Sequence, residues 1–228
     1  MFQPFTPLSI ENKQPGSHRL SLGLIFSRVY RVAVAISGRG SNLAALLRTL
    51  GGEAAAQVVA VFSHSPDAGG VALARSAGLP TAIFADPADA RAWLAALATH
   101  QVDLLVLAGF LKLVPAEVVQ AYRGRIINIH PALLPRYGGP GMYGIRVHRA
   151  VLEAGDRESG ASVHLVDEVY DRGDILAQAR VPVLPGDTPE TLAERVLAVE
   201  HQLLPATVLK AAEAGRPVPF HFALETAQ

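Results

Sequence analysis

The sequence predicts an α/β fold: an open, mostly parallel Rossmann-like sheet with flanking helices, extended by an antiparallel C-terminal strand pair and a long helix. Two observations predict it. Between residues 29 and 130, short runs rich in Val, Ile and Leu alternate with helical patterns, as in successive βαβ units. After Pro131, two strand patterns follow each other across a short turn, which is typical of an antiparallel pair.

The parallel part consists of strands and helices in regular alternation. Strands are predicted at residues 29–37, 57–63, 81–85, 102–110 and 125–130. Helices are predicted at residues 41–50, 69–79, 87–100 and 115–122. Because the strand at 29–37 is apolar with little alternation, we expect it to be buried on both faces of the sheet.

The C-terminal part begins with a glycine-rich loop and a helix at residues 145–155. Strands are predicted at 161–169 and 174–185, with a turn between Asp171 and Asp174. A long helical pattern covers residues 188–215 and has Thr188 as its cap. We expect this helix to be interrupted at Pro205, because proline has no amide hydrogen to donate.

The chain of 228 residues is long enough for one domain, and half of it is apolar. Residues 1–28, which contain Pro, Gln and Ser, are predicted to be a flexible N-terminal extension, and residues 29–228 a single domain. No apolar run reaches the length of a membrane span.

The charge and the absence of cysteine restrict the classes of function. The formal net charge is zero, so nucleic acid is not an expected partner. Without cysteine the chain has no disulfides, thiolate metal sites or cysteine nucleophiles, which suits a cytoplasmic location. No spacing of His, Asp and Glu suggests a metal site. We also do not expect the protein to bind a membrane.

The segment SGRGSN, Ser37 to Asn42, joins the first strand to the first helix. Its glycines allow a tight turn with exposed amides, and the helix N-terminus favours an anion. A dinucleotide fingerprint would require glycine at position 43, which is Leu43, so a terminal phosphate fits better than a pyrophosphate. A plain turn with a Ser or Asn cap is the alternative.

Asn128 and His130 interrupt an apolar strand and share one of its faces, at its carboxyl end. An amide can donate to an oxyanion, and a histidine can donate or shuttle a proton near neutral pH. The alternative is a hydrogen-bonded polar pair beneath a loop.

Asp171 follows in an acidic turn, where a buried carboxylate would hold a nearby imidazole and raise its pKa. His148 and His164 are expected on the surface.

The segments AISGRGSNLAALL, VDLLVLAGF, RIINIHPALLP and DEVYDRGDILAQARVPV occur in this order. In these segments the chain resembles the phosphoribosylglycinamide formyltransferases, the folate-dependent formyltransferase family of purine biosynthesis. The resemblance covers residues 29–215. It implies the formyltransferase fold and transfer of a formyl group from 10-formyltetrahydrofolate to the amine of 5-phosphoribosylglycinamide (GAR). It leaves open whether the protein is a homodimer.

The resemblance also implies a role for individual residues. Catalysis would fall to Asn128, His130 and Asp171. GAR would be bound by Gly38, Arg39, Gly40, Ser41, Asn42 and Glu200. The folate would be bound by Leu111, Lys112, Leu113, Val114, Asn128, Asp167 and Glu168.

Three other functions remain as alternatives. Formyltetrahydrofolate deformylase shares the Asn, His and Asp residues but usually has an N-terminal regulatory domain, which 28 irregular residues cannot supply. Methionyl-tRNA formyltransferase needs a further C-terminal domain and a basic surface. A non-catalytic folate or nucleotide-binding module would explain the glycine-rich loop but not the combination of Asn128, His130 and Asp171.

Overall fold

The computed structural model describes residues 28–52 and 54–224. The predicted extension lies outside these residues except for Arg28, whose guanidinium pairs with the carboxylate of Asp103. The division of the chain at residue 28 therefore stays a prediction.

Within the described residues, seven strands form one sheet, and their order is β3-β2-β1-β4-β5-β6-β7. They are β1 (Tyr30–Ile36), β2 (Ala56–Ser63), β3 (Thr81–Ile83), β4 (Leu104–Leu107), β5 (Ile126–His130), β6 (Glu158–Leu165) and β7 (Ile175–Pro182). Neighbouring strands from β1 to β5 pair in parallel, whereas β6 is antiparallel to both β5 and β7. The predicted sheet is confirmed.

In the part of the chain that the structure describes, six helices cover the two faces of this sheet. They are α1 (Ser41–Thr49), α2 (Gly69–Ser76), α3 (Ala90–Thr99), α4 (Ala116–Ala121), α5 (Ile145–Glu153) and α6 (Pro189–Ala214). Side chains of α1, α2, α5 and α6 pack in one core, and those of α3 and α4 in a second core. Within the described residues, no helix combines the length and apolar character needed to cross a membrane.

Helix α6 is unbroken, so the predicted interruption at Pro205 is wrong. Pro205 removes one helical hydrogen bond, but it is buried, as are Leu203, Leu204 and Val208 around it. Packing on both sides of the proline therefore keeps the two halves in one helix. The predicted cap is confirmed, because the side chain of Thr188 accepts a hydrogen bond in a capping box at the start of the helix.

The sheet has a switch point between β1 and β4. From β1 the chain proceeds outward to β2 and β3, and then returns to β4 on the other side of β1. The helices that follow β1 and β4, α1 and α4, therefore pack on opposite faces of the sheet and leave a crevice at its carboxyl edge. Ligands of open α/β sheets bind in such a crevice.

Candidate active site

Asn128 and His130 lie on the same face of β5, as the strand alternation predicts. Ile127 and Ile129 pack into the core on the opposite face. His130 is only 4% exposed, and Asn128 is half-buried. Because β5 ends at His130, the carboxyl end of a parallel strand carries both polar side chains.

Asp171 lies in the turn after β6 and contacts both of these residues. Its Oδ1 accepts a 3.4 Å hydrogen bond from Nδ2 of Asn128, and its Oδ2 lies 3.7 Å from Nδ1 of His130. The amide of Gly139 donates a 2.8 Å hydrogen bond to Oδ2. Of the three residues predicted to be catalytic, Asn128 and His130 therefore converge on the carboxylate of the third, Asp171.

The carboxylate of Asp171 is held in its ionised form. Burial is the largest influence on the pKa of Asp171 and raises it. The contacts with His164 and the Gly139 amide, together with the nearby imidazole of His130, oppose this effect and leave the pKa below its ordinary value. At neutral pH the cluster therefore contains a negative charge.

The ring of His130 is held by Tyr137 more closely than by Asp171. Its Nε2 donates a 2.7 Å hydrogen bond to the Tyr137 carbonyl, whereas the 3.7 Å separation from Asp171 is too long for one. Burial lowers the pKa of His130 and outweighs the opposing effects of Asp171 and Tyr137. Asp171 thus acts in the expected direction, but the net shift is opposite to the one predicted.

His164 packs against the cluster formed by Asn128, His130 and Asp171, so its predicted surface placement is wrong. It is 2% exposed, and its Nδ1 donates a 2.7 Å hydrogen bond to the carbonyl of Leu165. Its Nε2 lies 3.1 Å from Nδ2 of Asn128 and 3.4 Å from Oδ1 of Asp171. Because Nδ1 donates to Leu165, the Nε2 atom is the ring atom left to accept a hydrogen bond from the Asn128 amide. The missed signal is strand register, since His164 pairs with Asn128 across β5 and β6.

His148 is also buried, at 4% exposure, and not on the surface as predicted. It shares the inner face of α5 with Val147 and Val151. Burial, and to a smaller extent the neighbouring His130, lowers the pKa of His148 to about 4. Its Nδ1 has no hydrogen-bond partner among the described residues. This ring is therefore neutral over the physiological pH range.

The predicted anion loop precedes α1. Gly40 occupies the cap position with φ 81°, and no side chain caps the helix, so the Ser or Asn cap of the alternative interpretation is not formed. The loop is packed tightly, because a Cβ atom on Gly40 would lie 2.6 Å from Cα of Gly70. The amide of Gly70 also donates a 3.0 Å hydrogen bond to the carbonyl of Gly38. The uncapped first turn of α1 leaves amides available to an anion.

Glu200 of α6 reaches this loop. Asn42 Nδ2 donates a 2.7 Å hydrogen bond to Oε2 of Glu200, and both residues are buried. Burial raises the pKa of Glu200 to about 6, although the hydrogen bond from Asn42 opposes the shift. The Oδ1 atom of Asn42 has no partner among the residues that the structure describes. The pair therefore places a carboxyl group and a free amide oxygen beside the anion loop.

The loop after β4 exposes apolar side chains. Leu111 is 55% exposed and Leu113 is 59% exposed, whereas Val114 packs into the core on the face covered by α3 and α4. Val166, at the start of the turn that contains Asp171, packs against the same core. Both loops therefore lie on one face of the sheet, and their apolar surface suits a flat aromatic ligand. Lys112 is exposed beside the two leucines.

Asp167 and Glu168 make contacts that are separate from the cluster of Asn128, His130, His164 and Asp171. Asp167 Oδ1 accepts a 2.8 Å hydrogen bond from the amide of Val169, and Glu168 pairs with Arg123 at 2.6 Å. The side chains thus stabilise the turn and its surface. Within residues 28–52 and 54–224, no group of three His, Asp or Glu side chains is placed to hold a metal ion.

The cluster can stabilise negative charge and move a proton. Asn128 and His130 supply donors, and Asp171 supplies a charge that favours a protonated imidazole. The anion loop and the Asn42–Glu200 pair, in turn, can bind a phosphorylated molecule that carries hydroxyl or amine groups. These features suit polar group transfer between two ligands.

Comparison with known proteins gives the family. Residues 30–208 match the family described as formyl transferase. Phosphoribosylglycinamide formyltransferase from Escherichia coli is 39% identical over 78% of this chain and 84% of its own length. A crystal structure of the enzyme of that name from Brucella melitensis has a TM-score of 0.74 and 45% identity, and the match covers 81% of this chain and 96% of that one.

A chloroplastic relative of the same name from Arabidopsis thaliana is 47% identical over 76% of this chain. The match spans 62% of the length of that relative, so the chain corresponds to less than two thirds of it. The match to the family nevertheless extends from the first residue of β1 into α6 and contains every residue of the cluster. On this basis the chain belongs to the formyl transferase family.

Proposed function

We propose that this protein transfers the formyl group of 10-formyltetrahydrofolate to the amine of GAR, giving formyl-GAR and tetrahydrofolate. The observation that carries the proposal is the convergence of Asn128 and His130 on the Asp171 carboxylate. The relatives whose names state this activity support it. A cytoplasmic location is part of the same proposal.

Formyl transfer creates negative charge on the formyl oxygen as the amine attacks. Asn128 and His130 would donate hydrogen bonds to this oxygen from the end of β5. Protonation of His130 would place an N–H of Nδ1 opposite the Asp171 carboxylate, which lies 3.7 Å away. Asp171 would therefore stabilise the charged ring at the moment when the oxyanion forms.

In the free protein the donors are already occupied by acceptors of the protein. The His130 Nε2–H is bound by the carbonyl of Tyr137, and the Asn128 amide by His164 and Asp171. Binding of the reactants would exchange some of these bonds for the reacting oxygen. The exchange costs little hydrogen-bond energy, because each donor keeps a partner throughout.

The amine must be uncharged to attack, and it loses a proton as the new bond forms. Asp171 is the anion nearest to both catalytic side chains and would pass this proton through water to N10 of the folate. The bond between N10 and the formyl carbon would break in the same step, so that tetrahydrofolate leaves as a neutral amine. The phosphate of GAR would bind at Gly38 to Asn42, with Glu200 beside its ribose. The folate would lie on the apolar surface of Leu111 and Leu113.

The test is release of tetrahydrofolate from 10-formyltetrahydrofolate with and without GAR. The proposal requires that release depend on GAR and that formylated GAR accumulate in equal amount. Release of formate without GAR would instead establish a deformylase. Binding of both reactants without any release would leave a binding module and refute the proposal.

A further inference from the structure

Ser37 connects the two ligand loops at the switch point of the sheet. It follows β1 directly and precedes the anion loop, while Gly109 to Leu111 follow β4. The amide of Ser37 donates a 3.1 Å hydrogen bond to the carbonyl of Gly109. In the other direction, the amide of Leu111 donates a 2.9 Å hydrogen bond to Oγ of Ser37. One serine thus binds the loop after β4 through its backbone and its side chain.

His64 completes the hydrogen bonding of this hydroxyl group. It follows β2, and its Nδ1 lies 3.3 Å from Oγ of Ser37. Because Oγ accepts from Leu111, its own hydrogen is available to Nδ1. The ring of His64 also packs edge to face against that of Phe110, with 5.9 Å between the ring centroids. Three neighbouring strand ends, those of β2, β1 and β4, therefore meet at one hydroxyl group.

We propose that Ser37 is a positioning residue for the formyl-donor site. It fixes the backbone position of residues 110–114, and His64 orients the hydroxyl group of Ser37. The inference rests on the proposed function, because it assigns that loop to the folate. The exposed side chains of Leu111 and Leu113 have little packing of their own. Their placement therefore depends on the backbone, which Ser37 holds on one side and buried Val114 on the other.

The hydroxyl group is the part of Ser37 that the inference tests. Ser37→Ala keeps the backbone bond to Gly109 but removes the acceptor of the Leu111 amide. We expect a roughly threefold to tenfold weaker affinity for tetrahydrofolate, the size of one neutral hydrogen bond. Ser37→Thr retains a hydroxyl group and should stay within about twofold of the native affinity.

Tetrahydrofolate binding can be measured by quenching of Trp93, the single tryptophan of the chain. Its ring lies 5.4 Å from that of Phe110, next to the loop in question. In steady-state assays, Ser37→Ala should raise KM for 10-formyltetrahydrofolate by a similar factor with little change in kcat. The affinity for GAR, measured by calorimetry, should remain within about twofold.

Unchanged tetrahydrofolate affinity in Ser37→Ala would overturn the inference. So would equal weakening of tetrahydrofolate and GAR binding, because that result would indicate general damage to the end of β1. Should Ser37→Ala fail to fold, Ser37→Cys, whose thiol is a weaker acceptor, must shift affinity in the same direction. A native protein that binds tetrahydrofolate but transfers no formyl group would refute the proposed function alone. A native protein that binds no tetrahydrofolate would overturn both the proposed function and the role of Ser37.

Discussion

Glu200 and Asn42 form a buried pair in which the Asn42 amide donates a 2.7 Å hydrogen bond to a carboxyl group whose pKa is raised to about 6. Well below pH 4.5, the ordinary pKa, this group is protonated in the folded and unfolded states alike. As pH rises from 4.5 to 6, the unfolded state loses the proton first, so the free energy of unfolding falls. The loss above pH 6 is about 2 kcal/mol.

The matching prediction compares Glu200→Gln with the native protein in urea unfolding at pH 4.5 and pH 7.5. The amide cannot ionise, so its free energy of unfolding does not fall with pH as that of the native protein does. Relative to the native protein, the variant should therefore be about 2 kcal/mol more stable at pH 7.5 than at pH 4.5. Glu194→Gln, an exposed change on the same helix, is the control. A pH-independent difference for Glu200→Gln would mean that the carboxyl group titrates normally in the folded protein.

Asn128→Ala tests the proposed role of Asn128 as an oxyanion donor. The change removes an amide that stands at the end of β5, and loss of one such donor typically lowers kcat by about 10²–10³. The stability should change far less, since Asn128 is half-buried and its neighbours Ile127 and Ile129 pack on the other face of the strand. His221→Ala, at an exposed position, controls for assay variation. Full turnover in Asn128→Ala would exclude this residue from catalysis.

Asp171→Asn tests the electrostatic link to His130. Asp171 raises the pKa of His130 against the larger effect of burial, so removing its charge should lower that pKa further. Asparagine also tolerates the left-handed backbone at this position, where φ is 54°. The measurement is an NMR titration of the His130 ring, together with kcat, which should also fall. Asp174→Asn, an exposed change in the same turn, should leave the His130 pKa and kcat unchanged. An unaltered His130 pKa in Asp171→Asn would show that the charge of Asp171 does not act on this ring.

The sequence predicted the elements well because each strand and helix carries its own periodicity. The side-chain environment was less predictable where distant segments meet. The sequence places His164 on the surface because it alternates with Gly160 and Ser162 along the strand, but the turn with Asp171 covers that face and buries the ring. Only the family resemblance indicates Glu200, although a lone carboxylate among the buried positions of α6 is itself a signal. The effect of Pro205 depended on packing that local sequence does not encode.

Ser162 fixes the segment between His130 and Tyr137. Its Oγ accepts hydrogen bonds from the Leu134 amide at 3.0 Å and from Gln178 at 2.8 Å, and donates to the Ala132 carbonyl at 2.6 Å. Ser162→Ala leaves buried backbone groups without partners, so we expect the free energy of unfolding to fall by roughly 2–4 kcal/mol. Ser159→Ala is a matched control, because its hydroxyl group is buried without a partner among the described residues. Equal stability losses in the two variants would refute this account of the segment.

Gly40 and Gly38 give a test of the anion loop, because they lie in the same turn but have different surroundings. A methyl group on Gly40 would lie 2.6 Å from the backbone of Gly70 and would sit on a residue with φ 81°. A methyl group on Gly38 would have no atom within 4 Å among the described residues. Gly40→Ala must therefore push α2 away from the loop, whereas Gly38→Ala has room.

We expect Gly40→Ala to lower the free energy of unfolding by at least about 1–2 kcal/mol, from the left-handed backbone conformation alone. Gly38→Ala should be neutral or slightly stabilising, since alanine reduces the freedom of the unfolded chain. Urea denaturation of both variants without ligand measures the difference. Because ligand is absent, any effect of the methyl groups on the phosphate does not enter the result. Equal stabilities would mean that the contact between Gly40 and Gly70 does not constrain the loop.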